Sequence, residues 1–354
     1  MENFVNTKKT IQGSIDFKNG CVDLSHGAGG RASAQLIEQL FIAAFANPWL
    51  EARNDQACLS IPTTPGRLVI STDAHVISPL FFPGGDIGSL SVHGTINDVA
   101  MSGAVPLCLA ASFILEEGFP LADLRRIVNS MAQAAQDAGV PIVTGDTKVV
   151  ERGKGDGVFI TTTGTGWVDN SLKISGDQAV PGDVVLVSGY LGDHGIAILA
   201  QRENMKFSSP MESDTAALHG LVRDMVSVSQ NIHVLRDPTR GGLASTLNEI
   251  AHQSGVGICL EESAIPIRDK VAAACEFLGL DPLYIANEGK LICICPAAEA
   301  EIILQAMRQH PLGKDAAQIG QVQEDAHCYV QMRTQLGGRR MVDWLAAEQL
   351  PRIC

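Results

Sequence analysis

A chain of 354 residues is long enough for two domains with separate cores, and its 45% hydrophobic and 18% charged content is that of a water-soluble globular protein. A formal charge of −13 argues against nucleic acid or an anionic membrane as the main partner, since both call for basic surface. No run approaches the ~18 apolar residues of a membrane span, the polar start lacks a secretory core, and nine cysteines without a Cys-x-x-Cys pair fit a reducing cytoplasm.

Residues 1–20 read as a polar arm. Apolar spacing predicts a helix from Ser33 to Ala46, ended near Pro48, and then short strands over Cys58–Ile61 and Arg67–Thr72. Helix is predicted over Ser89–Ala100, strand over Cys108–Leu115, and a long helix over Leu121–Ala138. A short strand, Pro141–Thr144, runs into Gly145-Asp146, and a Thr-rich strand covers Val158–Gly166. The pattern loosens near Trp167–Gly176, which marks the domain boundary. The second half repeats the style, with a strand at Val184–Val187. Helices follow near 193–203, 214–228, 241–254 and 299–309, and strands near 257–260, 284–286 and 291–295. Met341 to Leu350 could form one short helix before the end. Strands alternating with helices in two similar halves predict two α+β or α/β domains.

Acidic residues recur beside glycines and at predicted strand ends: Asp55, Asp73, Asp98, Asp146 and Asp237. Hard oxygen ligands so placed suit Mg²⁺ shared with phosphates, although any one aspartate is more often a helix cap or turn residue. The loop Ser25-His26-Gly27-Ala28-Gly29-Gly30 precedes the first helix, and Arg240-Gly241-Gly242 precedes another. Both could bring backbone N–H groups to an anion, or could simply be tight turns; neither is a Walker loop. Lys148 follows Asp146 and could neutralise a phosphate. Glu288, in Asn287-Glu288-Gly289-Lys290, sits where a loop carboxylate could act. His194, in Gly192-Asp193-His194-Gly195, is either a helix-start residue or a proton carrier. The chain stops on Cys354, in Pro351-Arg352-Ile353-Cys354. A terminus is mobile unless tied down, and Arg352 nearby would favour the thiolate.

Taken together, SHGAGG, Ser71-Thr72-Asp73, FFPGGDIGSLSVHGTINDVAMSGA, VTGDTKVV, LGDHG, RDPTRGGL, NEGKL and the terminal PRIC resemble the HypE family, the carbamoyl dehydratases of NiFe-hydrogenase maturation. The likeness runs from about residue 21 to the end. It implies the two-domain fold of the aminoimidazole ribonucleotide synthetase superfamily with a mobile C-terminal tail. The divisions expected are an arm at 1–20, an ATP-binding and dimerisation domain at 21–168, a second domain at 169–335 and a tail at 336–354. The implied cofactors are ATP and Mg²⁺. Metal-binding aspartates would fall on Asp55, Asp73, Asp98 and Asp237. The nucleotide would be held by Gly29, Gly30, Asp73, Asn97, Asp98, Asp146, Thr147, Lys148, Gly241, Gly242 and Asn287. Cys354 would carry a carbamoyl group loaded by a HypF-type carbamoyltransferase. ATP-dependent dehydration would turn that group into a thiocyanate, with Lys148 on the phosphoryl group and Glu288, then His194, as candidate bases. A HypC–HypD iron scaffold would accept the cyano group, and the protein would pair as a homodimer. Two rivals differ in class: a small-molecule ATP enzyme such as a selenophosphate synthetase, which leaves Cys354 idle, and a non-catalytic carrier that binds ATP without turning it over.

Overall fold

The computed structural model describes residues 14–205, 211–345 and 352–353. The first helix is continuous from Arg31–Leu36 (α1) through a π-helical stretch, Ile37–Ile42, to Ala43–Phe45 (α2), with Pro48–Glu51 (α3) capped by the Asn47 side chain. Next come β1 (Gly66–His75), β2 (Phe81–Phe82), β3 (Gly85–Asp86), α4 (Ile87–Ala100), β4 (Val105–Glu116), α5 (Leu121–Ala138), β5 (Ile142–Val150) and β6 (Val158–Asp169). The order β1-β6-β4-β5 makes a four-stranded sheet, antiparallel except for β4 beside β5. Helix α4 lies on one face of this sheet and α5 packs on α4. The long helix follows from its sequence. Leu121, Leu124, Ile127, Val128, Met131, Ala134 and Ala135 recur at helical spacing and are all buried, and Gly139 ends the helix at φ +68°. Gly88 lets α4 and α5 meet, since a Cβ there would lie 2.3 Å from the Ile127 carbonyl oxygen.

The second half holds β7 (Asp183–Val187), α6 (Asp193–Arg202), α7 (His219–Val228), β8 (Val234–Arg236), α8 (Gly242–Ser254), β9 (Gly257–Glu261) and α9 (Asp269–Leu278). After these come β10 (Ile292–Pro296), α10 (Ala300–Gln309), β11 (Ala317–Gln323), β12 (Val330–Arg333) and β13 (Arg339–Met341). Its seven strands run in the order β13-β12-β9-β11-β7-β10-β8. The central strands β7 and β10 are buried on both faces, which explains their unbroken apolar runs. Val185, Val187, Ile292 and Ile294 pack into the core that contains α8, while Val184, Leu186, Cys293 and Cys295 pack into the core of α7 and α10.

Several expected elements differ. Residues Cys58–Ile61 form no strand and lie largely exposed. Around 284–286 there is a 3-10 turn, Pro282–Tyr284, instead of a strand, set by Pro282 and by Asp281, whose carboxylate accepts from the Leu283 N–H. Helix α7 begins at His219 rather than near 214, because residues 211–217 run irregularly along the other domain. Met341 ends β13, residues 342–345 form no helix, and the rest of that expected helix lies outside the described residues. Helix α9 was not anticipated: it buries only Val271, Ala274 and Cys275, too thin a stripe to stand out. Asp73 and Asp146 sit within strands that are longer than expected, not at their ends.

Candidate active site

The two halves meet at a cluster of acids. Asp73 on β1 and Asp98 on α4 come from the first half; Asp237, just after β8, and Glu288, just before β10, come from the second. Ser71 donates to Asp98 Oδ2 at 2.8 Å. Burial and the charge of Asp73 push the Asp98 carboxyl up. Asp237 is pushed up to about 7, first by burial and then by Asp98. Glu288 is driven well above the usual carboxylate range by burial, with Asp237, Asp214, Asp73 and Asp98 adding to it, and its Oε1 has no partner. A site that holds so much negative charge against its own repulsion, with an orphaned oxygen among it, fits a divalent cation. Among the described residues no group of such side chains is already gathered at ligand distance. Asp55 lies on the exposed stretch after α3.

Two neighbours escaped the sequence reading. His75, 1% exposed, places Nε2 3.7 Å from Asp73 Oδ2 and 3.3 Å from Thr162 Oγ1. The signal available was its i, i+2 spacing from Asp73, which puts both side chains on one face of β1. Asp214 accepts from the Glu288 backbone N–H at 3.0 Å and pairs with Lys290 Nζ at 3.1 Å. Gly289 is obligatory beside it, because a Cβ there would lie 1.7 Å from the Asp214 carbonyl oxygen.

Asp146, Thr147 and Lys148 on β5 line a different space. It is a cavity of about 210 Å³ between that strand, the Gly27–Gly29 loop, Phe41 and Phe45 on the apolar side of the first helix, and Phe113 of β4. Lys148 Nζ bonds both Asp146 oxygens, at 2.6 and 2.9 Å, and this bond holds the Asp146 carboxyl below its ordinary range. The Gly29 N–H is already given to Ser33 Oγ at 3.0 Å, whereas Gly30 faces open space.

Four of the residues expected at the nucleotide hold the scaffold in this structure. Asn97, 1% exposed, donates to the Ala216 and Glu288 carbonyls and accepts from the Leu218 N–H. Asn287, 0% exposed, donates to the Pro238 and Ile285 carbonyls and accepts from the Gly192 N–H. The amide groups of both are thereby spent on holding backbone. Gly242 donates to the Thr239 carbonyl, and a Cβ on it would lie 2.6 Å from the Leu283 carbonyl oxygen; Gly241 turns at φ +78° to start α8. These glycines serve a tight turn and close packing.

Cys354 lies outside the described residues, but the two residues before it in the described tail are seated between the halves. Ile353 is 5% exposed in the core that also contains Ile77, Phe82, Ile198 and Ala286. The Arg352 carbonyl accepts from the Ser78 N–H at 3.2 Å and from Arg202 Nη2 at 3.1 Å. Its guanidinium, expected to favour the thiolate, pairs with Asp156. The Ile353 carbonyl accepts from His194 Nε2 at 2.8 Å.

Two α+β halves with an acidic cluster between them and an anchored terminus define the class. Residues 53–168 and 180–333 match the family models for the N-terminal and C-terminal domains of AIR synthase related proteins. Within that class the chain belongs to the HypE family of carbamoyl dehydratases. It is 66% identical over 347 residues to the carbamoyl dehydratase HypE of Cupriavidus necator, covering 98% of this chain and 99% of the relative. A crystal structure of the hydrogenase maturation protein HypE in complex with ATP has 52% identity and a TM-score of 0.90, covering 94% of this chain and 99% of that one. In a HypE–HypF complex, a chain with 47% identity and a TM-score of 0.77 covers 88% of this chain and 99% of its own length.

Proposed function

We propose that this protein dehydrates a carboxamide carried on the sulfur of Cys354, at the expense of ATP. The observation that carries the reading is the seating of Arg352 and Ile353 between the halves, where Ile353 shares a core with Ala286, two residues before Glu288. Burying an isoleucine is worth roughly 1.5–3 kcal/mol, enough to bias a short tail toward this position. The S–C(=O)–NH₂ oxygen is a poor leaving group. Transfer of the ATP γ-phosphoryl group to that oxygen turns it into phosphate, a good leaving group, and loss of phosphate with both N–H protons leaves S–C≡N, with ADP and phosphate as the other products. Asp73, Asp98 and Asp237 would hold Mg²⁺, which when bound offsets charge on the phosphoryl group. Lys148 lends a further positive charge, and the cavity beside it suits the apolar end of a nucleotide. Glu288, whose carboxyl is raised by burial and then by its acidic neighbours, becomes a competent base once positive charge arrives beside it.

The carbamoyl group comes from a HypF-type transferase, and the cyano group leaves to iron on a HypC–HypD scaffold; thiols stay free for both steps in the cytoplasm. Among the described residues no helix is long and apolar enough to cross a membrane. Intact-mass measurement tests the reading. Incubation with the transferase should add one carbamoyl group to the wild type, and Mg·ATP should then remove one water. Carbamoyl-loaded protein that releases no phosphate is a carrier, and a Cys354→Ala protein that still forms a thiocyanate adduct uses another thiol.

A further inference from the structure

His194 is fully buried, at 0% exposure, and both of its ring nitrogens are engaged. A backbone carbonyl can only accept, so the 2.8 Å contact from Nε2 to the Ile353 oxygen places the proton on Nε2. Nδ1 is then the acceptor for the Ser213 hydroxyl at 2.7 Å. Ser213 is itself fixed: its Oγ accepts from the Thr215 N–H at 3.1 Å, and its N–H donates to the Pro83 carbonyl at 2.8 Å. Phe82 stands edge-on to the ring, with centroids 5.7 Å apart. Such a ring has no lone pair free for a substrate proton.

We propose that His194 is a positioning residue that grips the tail by its main chain, one peptide bond before Cys354. The proposal rests on Cys354 being the carrier. Arg202, eight residues further along α6, holds the preceding carbonyl of Arg352 at 3.1 Å and the Ser78 carbonyl at 2.7 Å. Residues so spaced lie on nearly the same side of a helix, so one element holds two successive tail carbonyls. Arg352 turns the chain there at φ +56°. A carbonyl is unchanged whether the sulfur beyond it is free, carbamoylated or cyanylated. A grip on the main chain therefore keeps one tail position while the cargo on sulfur changes, which a contact to the sulfur itself could not do.

The test is the rate at which iodoacetamide alkylates Cys354 in the full-length protein, followed by mass spectrometry of the C-terminal peptide. The exposed Cys21 and Cys58 serve as internal controls. His194→Ala should raise the Cys354 rate about tenfold, the factor that loss of one well-formed hydrogen bond allows, with the controls unchanged. His194→Gln, which retains a donor at the same reach, should stay within about twofold of wild type. Ser213→Ala and Arg202→Ala should each raise the rate about threefold, and they decide the matter if His194→Ala does not fold. A wild-type rate in folded His194→Ala, or a Gln variant as fast as Ala, overturns the proposal, as would no change in both other variants. Failure of the carrier reading shows separately, as product formation by Cys354→Ala.

Discussion

Asp237 shows how much a single buried acid can report about its site. Its carboxyl is raised, so without a bound cation the folded state binds a proton more tightly than the unfolded chain does. The stability tied to that proton is fully present below about pH 4 and is lost as pH rises toward about 7. Asp237→Asn removes the ionisation. The variant should therefore be more stable than wild type in nucleotide-free protein at pH 7.5, by about 1–3 kcal/mol, with the difference shrinking at pH 5. Thermal unfolding at the two pH values measures this, and Mg²⁺ should stabilise wild type alone. An equal melting temperature at pH 7.5 would remove Asp237 from the charged cluster. Glu288→Gln reproduces the shape of the protonated acid, so it should fold and bind ATP normally while turnover falls at least about a hundredfold. Normal phosphate release from the loaded Gln variant would assign the base elsewhere.

At the level of elements, two glycines that look alike in sequence do opposite work. Gly242 begins α8 at φ +60° with the Leu283 and Ile285 carbonyl oxygens 2.6 and 2.7 Å from where a Cβ would stand. Gly242→Ala should cost at least about 2 kcal/mol, seen as a lower urea midpoint. Gly30 precedes α1 at φ −93° with nothing within 4 Å of a Cβ position. Gly30→Ala should leave the midpoint within about 0.5 kcal/mol of wild type. It should nevertheless weaken ATP binding several-fold by crowding a loop that borders the cavity proposed for the nucleotide. Unchanged affinity, read by calorimetry, would leave that loop as a turn alone.

For the whole molecule, the four-stranded sheet has one face covered by α4 and another that carries apolar residues outward. Register places Leu68, Trp167 and Val105 in one row and Ile70, Thr165 and Cys108 in the next, with Leu68 58% and Ile70 68% exposed. A contiguous apolar face of this kind marks an interaction site, and a second copy is the partner proposed for it. Ile70→Asp buries a charge in any such contact, so light scattering should give half the wild-type mass. Equal masses for the two proteins would assign the face to another partner.

Much of this was legible in the chain because local chemistry dictates it. The long α5 announces itself by apolar residues at helical spacing, and β7, β9 and β10 do so by short apolar runs, whereas β8, β11, β12 and β13 are too short or too polar to stand out. The motifs around Asp73, Asp98, Asp237 and Glu288 mark the acids that the fold brings together, and PRIC marks the end whose Arg352 and Ile353 are seated between the halves. Other features depend on residues far apart in sequence, which no local pattern can show. Whether an asparagine touches a nucleotide or holds backbone depends on what fills its hydrogen bonds, and Asn97 finds its partners more than a hundred residues away at Ala216, Leu218 and Glu288. Likewise His194 reads locally as a base or a helix-start residue. It takes its position beside Ile353 because α6, the Ser213 segment and the tail converge there, and burial then favours a neutral ring with both nitrogens occupied.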